Sequence, residues 1–174
     1  SLRCRVDDVT DSLYGDLHLL KVLPDLRQAQ NRLNHLAGDH VGAQESWRQA
    51  QSELTPFLEE QPDNYVLIGD LALVYMGLKD KAAALSMAER AMIVLPLEKD
   101  VVDGPVPIEV MARVAAQLGE ADRAIAGLKK LLSIPSEGAL ASPVPLTPAL
   151  LRLRPMFDPL RNDPHFQELL VVPN

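Results

Sequence analysis

The chain has 174 residues, 47% of them hydrophobic and 24% charged, enough to build a core of its own and too apolar for a disordered segment. A net charge of −7 argues against nucleic acid or an anionic membrane surface as the main partner, because a phosphate-binding face would oppose the chain's own field. One cysteine, Cys4, excludes an internal disulfide framework, and no apolar run of about 18 residues offers itself for direct membrane insertion. Aromatic residues are only 4%, while Ala and Leu abound, a bias towards helix.

In chain order, residues 7–22, "DDVTDSLYGDLHLLKV", read as an amphipathic helix with Leu13, Leu17 and Leu20 on one stripe. Its acidic start (Asp7, Asp8, Asp11) suits the positive end of a helix dipole better than a cation site. Pro24 separates it from the next helix. Three stretches then end one amphipathic run with a turn and open another: "LAGDHVGA" (36–43), "GLKDKAAA" (77–84) and "QLGEADRA" (117–124). Their turn positions, Gly38, Lys79 and Gly119, are 41 and 40 residues apart. Five residues after each comes Ala43, Ala84 or Ala124, and four further on Trp47, Ala88 or Leu128. Small residues at these places let two antiparallel helices approach closely, so the pattern predicts helix–turn–helix units at about 25–62, 63–96 and 105–135. Prolines 56, 62, 96 and 135 are expected to close the second helices, and "LEKDVVDGPVP" (97–107) to be an insertion before the third unit.

These residues resemble the tetratricopeptide repeat. In residues 65–96 the family's positions are matched by Ala72, Tyr75, Ala84, Ala91 and Pro96, with Lys79 in place of Gly and Ala88 in place of an aromatic. In the third unit Ala112, Gly119 and Ala124 match, and in the first Gly38, Ala43, Trp47 and Ala50. The family's period is about 34 residues, so spacings of 40 and 41 imply longer linkers or helices. The resemblance implies an all-α, right-handed superhelical array of about three helical hairpins, with the extra N-terminal helix and a short C-terminal cap.

After a Ser-, Gly- and Pro-rich loop (136–148), "LTPALLRLRPMF" predicts a short helix with Thr147 before Pro148 at its first position. "DPLRNDPHFQELL" predicts a last one capped by Asp163, with Phe166, Leu169 and Leu170 on one stripe. An array exposes the apolar face of its last unit and needs a lid, the job this cap (147–171) would do. The ending is also similar to that of tetratricopeptide regions attached to bacterial serine/threonine kinases, winged-helix regulators and nucleotide cyclases. With Ser1 as its first residue, the chain is expected to be a piece of such a longer signalling protein, cytoplasmic, or extracytoplasmic if the parent spans a membrane.

No catalytic or nucleotide-binding motif is present, and the four histidines, His18, His35, His40 and His165, lack metal-ligand spacing. No cofactor, metal or catalytic residue is therefore expected, and Trp47 reads as core. The resemblance implies that the first helices of successive units line a concave groove. Transferred register by register, its residues are Gln28, Arg32 and His35, then Val66, Gly69, Leu73 and Met76, then Val106, Glu109 and Arg113. The Lys–Asn set of the family's carboxylate clamps is missing, and Arg32 stands where one Asn would be. The expected function is a non-catalytic interaction or scaffold module that docks a peptide or helix. Self-association through the N-terminal helix would be consistent with it. The alternative is a small-molecule sensor whose ligand sits in the concave pocket.

Overall fold

The computed structural model describes residues 40–134 and 146–171, and every regular element among them is helical. The predicted N-terminal helix, the first half of the first hairpin, Pro135 and most of the 136–148 loop lie outside the described residues. Helix α1 spans His40–Glu60, α2 Tyr65–Gly77, α3 Lys81–Val94, α4 Pro105–Gln117 and α5 Ala121–Leu132. A short α6 (Pro148–Leu153), a 3-10 helix η1 (Pro155–Leu160) and α7 (Pro164–Leu169) follow. Each of the first four helices packs on the next, and α2 also lies against α4.

Helix starts follow from side chains that accept orphan amide protons. The Asn64 carboxamide oxygen accepts from Val66 N at 3.1 Å and Leu67 N at 3.3 Å, and Asp80 accepts from Ala83 N at 3.0 Å. Thr147 accepts from Leu150 N at 3.2 Å, and Asp163 from His165 N at 2.8 Å. Helix α4 has no side-chain cap; it opens on Gly104 and Pro105, and Pro107 follows in its first turn. A Cβ on Gly104 would lie 2.3 Å from the Asp100 carbonyl oxygen, so only glycine fits this entry.

The α2–α3 and α4–α5 turns are built alike. Lys79 (φ 65°) and Gly119 (φ 79°) both take the left-handed conformation. Asp80 N donates to Tyr75 O at 3.0 Å and Glu120 N to Ala115 O at 2.9 Å, the longer bond of a Schellman ending in each case. Lysine thus occupies a backbone position that favours glycine. At the same 40-residue offset, Ala72 and Ala112, Ala84 and Ala124, and Ala88 and Leu128 are fully buried.

Pro56 does not end its helix. It lies inside α1, which continues to Glu60. An internal proline costs about 3 kcal/mol. Yet Phe57 and Leu58, just beyond it, reach the cluster of Trp47, Ala50, Leu54, Leu67, Leu71 and Val74 only if the helix goes on. Both are partly buried there, and apolar area removed from water contributes about 25 cal/mol per Å2 against the lost hydrogen bond. Pro56 itself is exposed. The 97–107 stretch is likewise shorter than an insertion, because its last three residues already belong to α4. What remains is a turn in which Asp100 accepts from Val102 N and Asp103 N at 2.8 and 3.0 Å. These amides hold its carboxyl below the usual range.

A second, larger cluster joins α2 through α5 to the C-terminal segment, where Leu151, Phe157, Leu160 and Phe166 are buried. Phe157 and Phe166 stack at a tilt with centroids 6.4 Å apart. η1 packs on α4, and α7 touches α5. Gln117 Nε2 donates to Met156 O at 2.7 Å, so the C-terminal segment is tied to α4 by a polar contact as well as by burial.

Candidate functional site

Of the ten groove residues expected from the sequence, Gln28, Arg32 and His35 lie outside the described residues. The other seven sit on α2 and α4, which run side by side. Val66, Leu73, Val106 and Arg113 are half-buried. Gly69, Met76 and Glu109 are buried. At Gly69 a Cβ would lie 3.5 Å from Val110 Cγ2, ordinary contact across the α2–α4 seam. Met76 belongs to the larger core cluster, and Leu73 packs against it from the edge.

Glu109 is 8% exposed and is held by two arginines. Arg154 Nη1, from the stretch before η1, donates to Oε1 at 2.9 Å; Arg113 Nη1, one turn along α4, approaches Oε2 at 3.5 Å. A fourth charge belongs to the same neighbourhood. Asp70 on α2 keeps some surface as a residue, but its Oδ2 is sealed and finds no hydrogen-bond donor among the described residues. Burial pushes its carboxyl up to about 7, against the pull of the Arg113 guanidinium, which lowers it. The half-exposed α2–α4 face therefore overlies a polar cluster of two acids and two arginines, one of them reaching in from the C-terminal segment.

Sequence reasoning missed Asp70 and Arg154. Asp70 had a signal: it is the only charged residue in α2, "YVLIGDLALVYMG". Charge inside so apolar a helix has to face a polar partner or a boundary. Arg154 had none, since its role depends on a fold-back from 45 residues away.

A second feature lies on other helices. Between α3, α4 and α5 is a hollow of about 350 Å3, with Met92, Ile108 and Met111 as its apolar floor and Ala126 and Gly127 as its α5 wall. Glu89, Arg123 and Lys130 stand at its mouth. Arg123 Nη2 pairs with Glu89 at 2.7 Å and Lys130 Nζ with Glu98 at 3.4 Å. Glu98, exposed, is held below the usual carboxylate range first by its own backbone amide and then by Lys130.

Trp47 is 1% exposed and packs against Gly77, as core. No group of three potential metal ligands occurs among the described residues, and none of their helices is long and apolar enough to cross a membrane. No family model, curated protein or solved structure matches the chain.

Proposed function

We propose that the chain is a tetratricopeptide-like array acting as a non-catalytic interaction module, with a peptide or helix docking across the α2–α4 face. The observation that carries this reading is the equivalence of the α2–α3 and α4–α5 hairpins. Small or apolar residues at matching positions are buried, and both turns take a left-handed residue 40 positions apart. Stacked hairpins of this kind present the first helices of successive units side by side. Here those helices are α2 and α4, and Val66, Leu73, Val106 and Arg113 remain accessible on them. Such a surface suits a partner with one or two apolar anchors and a polar or acidic group near Arg113. In this reading the N-terminal segment completes a right-handed superhelix, and the C-terminal segment closes the last unit. The resemblance in its ending supports a place in a larger bacterial signalling protein.

A second reading, a small-molecule sensor with its ligand at the same face, is favoured by the polar groups gathered around Arg113. One experiment tests peptide docking at this face. The native chain and a Val66→Glu, Val106→Glu variant, matched in helicity and melting, are used as bait in a bacterial lysate. A protein retained by the native form and lost by the variant supports peptide docking. Equal retention by both removes the α2–α4 face from consideration.

A further inference from the structure

The hollow between α3, α4 and α5 goes beyond this reading and stands on different residues. It has an origin in the sequence. Gly127 occupies the place on α5 that Met87 occupies on α3, 40 residues earlier, and Met87 packs against the core. With no side chain there, α5 moves in on α4: a Cβ at Gly127 would already lie 3.3 Å from Ala112 Cβ. No side chain of α5 then fills the space over Met92, Ile108 and Met111. An apolar recess of about 350 Å3 is at the low end of small-molecule sites, roughly 300–1,000 Å3. Its methionines give it walls that adapt to the occupant.

The mouth decides which apolar ligand fits. Of the three charged residues there, two are cations, both on α5. Arg123 is tightly held by Glu89 at 2.7 Å. Lys130 has a looser partner at 3.4 Å in Glu98, whose side chain is 76% exposed. An exposed pair of that length contributes about 0–1 kcal/mol, so an incoming anion displaces it at little cost. We propose that the α3–α4–α5 hollow is a binding site for a small amphipathic carboxylate, its apolar body over Met92, Ile108 and Met111 and its carboxylate on Lys130.

The test uses octanoate as probe and the methionine methyl groups, isotopically labelled, as NMR reporters in the full chain. Met92 and Met111 report the hollow, and Met76, buried beside the α2–α4 face, reports the other surface. The expected result is a saturable shift of the Met92 and Met111 methyls with Met76 unmoved. Lys130→Gln should weaken octanoate about tenfold while leaving octanol unchanged, since only the charge-assisted contact is lost. Ala126→Trp, an exposed position at the wall, should abolish binding of both; if it lowers the melting temperature, Ala126→Leu replaces it. Unmoved Met92 and Met111 methyls, octanol binding as tightly as octanoate, or indifference to Lys130→Gln would each overturn the proposal. A shift confined to Met76 would overturn it too, in favour of a ligand at the α2–α4 face.

Discussion

Replacing Asp70 with Asn tests whether the cluster beneath the α2–α4 face is energetically real. The Asp70 carboxyl ionises near 3.8 in an unfolded chain and is pushed up to about 7 by burial in the fold. Between these values the folded protein holds a proton that the unfolded chain has released. Stability from this group is therefore fully present below about pH 4 and is lost as pH rises through 7. The displacement corresponds to about 4 kcal/mol at most, at about 1.4 kcal/mol for each pH unit. Asparagine has the same shape and never ionises, and sealing an amide without a partner costs less than sealing a carboxylate, roughly 1–3 kcal/mol. Urea unfolding followed by circular dichroism at pH 5, 6, 7 and 8 is the assay. The native midpoint should fall as pH rises, by roughly 1–2 M across the range for an m-value near 2 kcal/mol/M. Asp70→Asn should flatten that slope and be the more stable of the two proteins at pH 8. The carboxyls of Glu98, Asp100 and Glu120 are all held below their ordinary values, so their contributions are lost only in acid, below this window. Comparing the two proteins cancels whatever the histidines add. A variant that keeps the native slope would show that Asp70 ionises normally and that its burial carries no such energy.

Other consequences arise from neighbouring contacts. Arg113→Gln removes the charge that lowers the Asp70 carboxyl, so the fall in stability should begin at the same pH and extend to higher pH, readable from the same urea series. Gly77→Ala would place a Cβ 2.2 Å from Trp47 Cε2 and should destabilise by about 3 kcal/mol, with a visible change in Trp47 fluorescence. Lys79→Gly relieves a left-handed lysine and should stabilise by about 1 kcal/mol, a rise of about 2–4 °C in Tm. Arg154→Ala leaves buried Glu109 with Arg113 alone and should cost about 1–2 kcal/mol by thermal melting, whereas Arg161→Ala, an exposed pair to Asp158, should cost almost nothing.

What could be read from the sequence was written within a few residues of where it acts. Thr147, Pro148, Asp163 and Pro164 announce helix starts because a cap is a contact between near neighbours, and the structure puts both helices there. Gly119 announces a left-handed turn by the same logic. Lys79 looked a poorer turn residue, yet it takes the same φ, because its turn ends in the same bonds and Asp80 caps the next helix. Pro56 shows where local rules give way. A proline is a reliable stop only when nothing beyond it needs to be buried, and Phe57 and Leu58 do. The α2–α4 face was legible as a register of positions but not as a surface. The resemblance implied Glu109 and Arg113 there and could not reveal that Arg154 returns from the C-terminal segment to hold Glu109 inside. The hollow was least visible, since a space has no residue of its own. Its one trace is Gly127, where the equivalent position carries a methionine. Both the buried charge in an apolar helix and the glycine in place of a bulky residue are breaks in an otherwise regular pattern. Two hairpins that match at a 40-residue offset make such a break detectable, because Met87 shows what position 127 lacks.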